Sequence, residues 1–105
     1  NWYVDRVVEQ AGFIGARLAD GEYTIPATDK YHLEAKCLRN FTTFEEVRKW
    51  IDATNDRWLI LVFHQIENNP PGWGISPKLF QDICAYIKEQ QLQTVTISEG
   101  IRKLL

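Results

Sequence analysis

The chain has 105 residues, of which 45% are hydrophobic and 25% are charged, and its formal net charge is -2. This length suits one domain with a single core, and the composition is that of an ordinary globular protein. The nearly balanced charge, with no cluster of basic residues, gives no electrostatic reason to expect nucleic acid or an anionic membrane surface as a partner. No apolar run approaches the roughly 20 residues that span a bilayer, and the N-terminus carries no visible targeting segment.

The first part of the chain predicts a helix, two strands and a long loop. Apolar residues at positions 4, 7, 8 and 11 recur with helical spacing, and Gly12 ends that helix. Residues 13–18 are mostly apolar and stand between turn signals, so they predict a strand. Residues 19–31 are polar without a sustained period, which predicts a loop, and residues 33–38 predict a second strand.

A capped helix and a buried strand come next. Thr42 or Thr43 can cap a helix that begins near Phe44, because a glutamate follows three residues later in either case. Residues 58–64 predict a third strand, which is continuously apolar until it stops on His64. A continuous run of this kind is typical of a strand that is covered on both faces.

The C-terminal part predicts two more helices and one more strand. Ser76 can cap a helix whose first position is Pro77, and its apolar spacing continues to about Gln91. Residues 92–97 alternate apolar side chains with threonines, which predicts a last strand. Ser98 can then cap a short final helix.

The predicted fold class is α/β, because strands alternate with helices along the chain. This order implies parallel strands joined by right-handed crossovers. Four strands suit either an open sheet or part of a (β/α) barrel, and the pattern does not choose between them. In both architectures the chemistry gathers at the carboxyl ends of the strands, and His64 stands at such an end.

The two cysteines, Cys37 and Cys84, are too far apart in sequence for a metal ribbon or a C-x-x-C redox pair. We expect two buried free thiols, since Cys37 lies in a strand-like run and Cys84 on the apolar side of a helix. A single disulfide is the alternative, and it would fit an exported protein. Because the chain starts at Asn1 and contains no methionine, we also expect the natural start to lie upstream.

Several stretches resemble the carboxyl-terminal half of the polysaccharide deacetylase (NodB-homology, carbohydrate esterase) family. They are "TTFEEVRKWID", "LILVFHQI" and "ISPKLFQDICAYIKEQQLQTVTISEGI", preceded by "VDRVVEQAGFIGARLADGEYTIPATDKYHLEAKCL". The resemblance covers essentially the whole chain. It implies the C-terminal part of a distorted (β/α) barrel over residues 1–105, with the N-terminal metal-binding part absent.

The resemblance implies a role for His64. In the family, one divalent metal of the zinc type is held by an aspartate and two histidines, and a histidine in a Leu-x-His motif is the general acid. Here the motif corresponds to Val62-Phe63-His64, and Val62 would line the acetyl pocket. An amide nitrogen leaves only when it is protonated, and histidine is the side chain that commonly supplies a proton near neutral pH. The alternative for His64 is a core histidine whose ring nitrogens bond to the backbone.

The family's metal motifs are missing from this sequence, which has no paired aspartates, no His-x-x-x-His and no Arg-x-Pro-Tyr. His32 is far from His64 in the chain and cannot replace the metal histidines, so we expect it to be exposed at a strand start. We therefore expect no metal ligands and no cofactor in this chain, and no deacetylation by the chain alone.

Three further residues are candidates for the site. Arg17 closes the first predicted strand, where the family places groups that tune the acid, and Asp20 could supply a carboxylate that favours protonated His64 and holds its tautomer. Trp73, in the loop after His64, could be a platform for a sugar ring. The alternatives are a solvated loop for Arg17 and Asp20, and a lid over the core for Trp73.

The leading hypothesis is thus part of a metal-dependent deacetylase that acts on N- or O-acetylated polysaccharide, secreted or at the cell envelope. A second is a catalytically silent carbohydrate-binding or interaction module of the same fold, and a third is an open α/β sheet with an unrelated ligand. A half barrel would expose strand edges and apolar surface, so we also expect self-association.

Overall fold

The computed structural model describes residues 2–18, 21–25 and 28–105. Within these ranges the chain is a mixed α/β structure with four helices and two parallel pairs of short strands. The helices are α1 (Trp2–Gln10), α2 (Phe44–Asp52), α3 (Pro77–Glu89) and α4 (Ile97–Leu104). The strands are β1 (Lys36–Cys37), β2 (Leu61–Val62), β3 (Gln65–Ile66) and β4 (Gly74–Ile75), and β1 pairs with β2 and β3 with β4. The predicted combination of helices with parallel strands is therefore confirmed.

The β1–β2 pair is the centre of a longer stretch of parallel backbone pairing. Lys36 is in register with Leu61, and the N–H of Leu38 donates to the carbonyl of Val62 at 3.1 Å, one residue beyond β1. The predicted strands over residues 33–38 and 58–64 are thus present as short paired segments within the expected ranges.

The predicted strand over residues 13–18 is reduced to a single bridge. Arg17 bridges Leu33 in the parallel sense, and the N–H of Leu18 donates to the carbonyl of Leu33 at 2.7 Å. Phe13, the largest apolar side chain of this segment, is 64% exposed, so no neighbouring surface buries it. Without that burial, little favours a longer pairing.

The side chains of residues 58–63 alternate between two buried clusters. The first cluster consists of Leu38, Val47, Ile51, Ile75 and Ile83, and Leu59, Leu61 and Phe63 pack against it. The second cluster consists of Leu33, Ala35, Ile60 and Ile101, and Trp58 and Val62 pack against it. Successive side chains of a strand point to opposite faces, so an apolar residue is needed at every position here. The prediction of a strand covered on both faces is confirmed.

Helices α2 and α3 cover the first cluster. Thr43 is the N-cap of α2, and its side chain accepts the N–H of Glu46, whereas the Thr42 hydroxyl accepts the N–H of Arg39 at 2.9 Å. Ser76 caps α3, and Pro77 occupies its first position, as predicted. None of the described helices is long and apolar enough to cross a bilayer.

The predicted strand over residues 92–97 is wrong. This segment is irregular up to Thr96, which caps α4. Thr96 and Glu99 form a complete capping box, in which each side chain accepts the other residue's backbone N–H. The cap is therefore Thr96 and not Ser98, because only the residue three positions before Glu99 can complete this motif.

The two cysteines are less buried than the sequence predicted. Cys37 and Cys84 are not joined by a disulfide, but Cys37 is only half-buried and Cys84 is exposed, whereas both were expected to be buried. The buried side chain of α3 is Ile83. Its neighbour Cys84 is rotated by about 100° around the helix and so lies at the margin of the apolar face.

Candidate functional site

Two chemically active side chains follow the parallel strands at the same edge. Arg39 comes two residues after β1, and His64 comes two residues after β2. Because β1 and β2 are parallel, their carboxyl ends meet at one edge. Trp73 lies against both side chains: its ring is 5.2 Å from the His64 ring between centroids, and the Arg39 Cζ atom is 3.9 Å from the Trp73 ring centroid. These three residues are the candidate site.

The backbone of the loop after His64 holds Trp73 in place. The β3–β4 pair brackets the loop, and the N–H of Asn40 donates to the carbonyl of Gly72 at 3.0 Å, which joins the loop to the residue after Arg39. Gly74 is buried, and a Cβ atom there would lie 2.8 Å from the Cβ of Pro70, so a larger residue would displace the loop. Trp73 remains 48% exposed and can contact a ligand.

His64 is exposed, and its ring nitrogens form no hydrogen bond or ion pair with any residue that the structure describes. This differs from a core histidine, whose nitrogens are bonded to backbone groups. Its interaction within the chain is the edge-on contact with Trp73. Both nitrogens are therefore available to an external partner.

Val62 lies inside the sheet beneath this site. It is two residues before His64, so the two side chains leave the strand on the same side. Val62 is half-buried and packs against the second cluster.

Arg17 is not brought to His64. It bridges Leu33, whereas His64 lies at the level of Arg39, six residues further along the β1 segment. At about 3.3 Å per residue, this separates the two levels by roughly 20 Å. The Arg17 guanidinium donates to the neighbouring Leu18 carbonyl at 3.0 Å. Asp20, the other candidate for tuning the acid, lies outside the described residues.

His32 contacts α1. Its Nε2 atom is 2.8 Å from the Asp5 carboxylate, and its Nδ1 atom is 3.9 Å from that of Asp29. The His32 side chain is 42% exposed, close to the exposed position expected, but the contact with α1 was not predicted. Across residues 2–18, 21–25 and 28–105, no group of three or more histidine, cysteine, aspartate or glutamate side chains could hold a metal ion.

Among the described residues, two of the surface hollows lie near the strands, and the smaller of these two is lined in part by a residue of the candidate site. The larger, of ≈ 790 Å³, lies between the C-terminal ends of α2 and α3 and includes Asp52 and Tyr86. There the Tyr86 hydroxyl donates to the Asp52 carboxylate, which raises the pKa of Tyr86. The smaller hollow, of ≈ 490 Å³, is lined in part by Arg39 and Lys36. Arg39 is the residue of the candidate site that lines it.

Sequence reasoning missed Arg39, although a signal was present. Arg39 follows the predicted strand over residues 33–38 directly, as His64 follows residues 58–63. Polar residues at the ends of adjacent parallel strands are candidates for one site. The contact of both with Trp73 depends on the folding of the intervening loop.

Comparison with known proteins gave no match: no family model, no curated sequence and no solved structure matches this chain.

Proposed function

We propose that this chain is the carboxyl-terminal part of a metal-dependent polysaccharide deacetylase, with His64 as the general acid. The observation that carries the proposal is the position of His64 at the carboxyl end of β2, exposed, against Trp73, with both ring nitrogens unpaired among the described residues. A proton donor must reach its substrate, and this ring is free to do so.

The reaction requires a proton at the leaving group. Attack of water on the acetyl carbonyl carbon makes a tetrahedral species, and cleavage of its C–N bond releases acetate and the amine of the sugar. Without a proton the nitrogen would leave as a strongly basic anion. His64, in its protonated form, would donate that proton to the nitrogen, or to the oxygen of an O-acetyl substrate.

The described residues do not fit the metal that this family uses, since they contain no group of three ligands. We place its ligands in a part of the protein outside these 105 residues. In the intact protein, such a metal would supply polarisation of the carbonyl and activation of the water. We therefore expect the chain alone to release no acetate.

The proposed architecture is the later part of a distorted (β/α) barrel. In its support, β1 and β2 are parallel, helices α2 and α3 cover one face of β2, and the candidate site lies at the carboxyl ends of the strands. Val62 would close the acetyl pocket on the core side, and Trp73 would contact a sugar ring. We further propose secretion or a cell-envelope location, where such polysaccharides occur.

A catalytically silent carbohydrate-binding module is the second candidate. The half-exposed Trp73 favours it, since an indole can bind sugar whether or not a metal is near. This candidate predicts sugar binding without acetate release, whatever sequence precedes Asn1. An Asp-Asp pair followed by His-x-x-x-His in the upstream coding sequence would favour the deacetylase instead.

The chain offers a matched pair of variants for the test, because it contains only two histidines. In the protein expressed with its natural upstream sequence and supplied with zinc, we expect His64→Asn to lower kcat for acetate release from a chitin tetrasaccharide by about 10²- to 10⁴-fold, with KM little changed. His32→Asn should leave kcat near the wild-type value. Full activity of the His64→Asn protein would refute the role of His64.

A further inference from the structure

Arg39 belongs to the candidate site, but deacetylation gives it no task. Its guanidinium lies over the Trp73 ring, with Cζ 3.9 Å from the ring centroid, and Trp73 in turn contacts His64. An arginine on an indole face gains from the cation–π attraction, and stacking holds its plane in one orientation. Arg39 is therefore a positioned cation next to the proposed acid.

Arg39 differs from Lys36, Arg48 and Lys78, which form ion pairs with carboxylates in the described part of the chain. Lys36, in the same hollow, is 3.0 Å from the Glu22 carboxylate, and Arg48 is 2.7 Å from that of Glu45. Among the residues that the structure describes, Arg39 forms no ion pair, and its guanidinium has no hydrogen-bond acceptor. Glu46 also lines the hollow, but it does not pair with Arg39. The guanidinium donors of Arg39 are consequently available to a ligand.

The Arg39 guanidinium covers one face of Trp73, and this affects which kind of sugar can bind there. A neutral sugar ring would stack on an open aromatic face, but here a guanidinium covers one face of Trp73. An incoming sugar meets N–H donors with a positive charge there. A planar guanidinium matches a carboxylate, which can accept two parallel hydrogen bonds from it. The chain as a whole carries a net charge of -2, so an anion would be attracted by this local group and not by the overall charge.

We propose that Arg39 binds the carboxylate of a uronic acid residue, so that the polysaccharide bound at this site is an acidic one. The inference rests on the proposed function for its sugar ligand and extends it to a substrate class. The acidic sugar would lie next to the acetylated one, since Trp73 places Arg39 and His64 on a single continuous surface.

The test compares two tetrasaccharides of equal length that both carry N-acetylglucosamine. One is the hyaluronan tetrasaccharide, which contains glucuronic acid, and the other is the neutral chitin tetrasaccharide. Binding to the 105-residue chain is measured by titration calorimetry and by NMR shifts of the Trp73 indole and His64 ring signals. We expect the acidic sugar to bind about tenfold more tightly at low salt, with the difference shrinking as salt is raised.

Two variants of equal charge make the result specific. Arg39→Gln should bind both sugars equally, whereas Arg102→Gln, in the last turn of α4, should keep the wild-type preference. Thermal unfolding of each variant verifies that it is folded. Arg39→Lys, which keeps the charge but not the planar fork, should retain only part of the preference.

Three outcomes would overturn the proposal: equal binding of the two sugars by the wild-type chain, no binding of either, or equal loss of preference in the Arg39→Gln and Arg102→Gln variants. The acetate-release assay tests the proposed function independently of the sugar-binding preference. A preference for the acidic sugar, together with unchanged acetate release by the His64→Asn enzyme, would keep the acidic-sugar site and refute the role of His64 as general acid. Loss of acetate release in the His64→Asn enzyme, together with equal binding of the two sugars, would support the role of His64 and refute the acidic-sugar site.

Discussion

Helices α1 and α2 are both nine residues long and both have an apolar side, but only α2 buries side chains. In α2, Val47 is fully buried and Ile51 is 7% exposed. In α1 no residue is buried, and Val7 remains 48% exposed. An apolar stripe therefore predicts a helix, whereas burial requires a partner surface, which α2 finds on the first cluster.

Polar contacts tie α1 to the rest of the chain. The Asp5 carboxylate is 2.8 Å from His32, and the Tyr31 hydroxyl donates to the carbonyl of Phe13, just after the helix, at 3.0 Å. Contacts between partly exposed polar groups each contribute little to stability. We infer that α1 opens at a lower free energy than the α2–α3 layer.

The largest expected effect comes from a matched pair of valine truncations. Val47→Ala removes two buried methyl groups and leaves a cavity, so it should lower the free energy of unfolding by about 2 kcal/mol. Val7→Ala, on the exposed side of α1, should change it by less than about 0.5 kcal/mol. Urea unfolding measures both. Similar losses in the two variants would mean that α1 is packed as tightly as α2.

The uncovered side of α1 also predicts self-association. Trp2 is 71% exposed and Tyr3 is 69% exposed, and a second copy could cover these rings together with Val7. We expect the sedimentation-average mass to rise with concentration, and Val7→Lys to weaken the association by about tenfold. Gln81→Lys, an exposed change of the same charge on α3, is the control. A monomer at every concentration would refute this expectation.

The sequence predicted best what depends on local chemistry. Ser76 and Pro77 set the start of α3, since a cap and a fixed φ angle act within a few residues. The position of His64 at the end of a buried strand followed from the apolar run before it. The mixed α/β class followed from the order of these segments.

The predictions from sequence failed where long-range contacts or competing local signals determine the structure. Residues 92–97 alternate like a strand, but the capping box of Thr96 with Glu99 begins a helix there instead. The β3–β4 pair joins segments on either side of a loop, and no pattern in two-residue strands predicts that register. Arg17 was a candidate for tuning His64, with a solvated loop as its alternative, and its register with Leu33 could not be read from composition.

Helix α4 combines the two kinds of stabilisation, because it buries Ile101 as α2 buries its side chains and is also held by polar contacts, which are those of its N-cap. The Thr96 side chain and backbone N–H hydrogen-bond with Glu99 and hold the pKa of that carboxyl below its ordinary value of 4.5. A lowered pKa in the folded state means that the charged form stabilises the fold. This contribution is fully present above pH 4.5 and is lost as the pH falls through the lowered value.

We therefore expect Glu99→Gln to cause a small loss of stability near neutral pH, and the difference from the wild type to shrink as the pH falls from neutral to below 4.5. Thermal unfolding followed by circular dichroism at each pH measures it. Ser98→Ala, one residue away and outside the capping box, should leave stability unchanged at every pH. A constant difference between Glu99→Gln and wild type across this range would mean that the charge of Glu99 does not stabilise α4, and that the packing of Ile101 is sufficient to hold the helix.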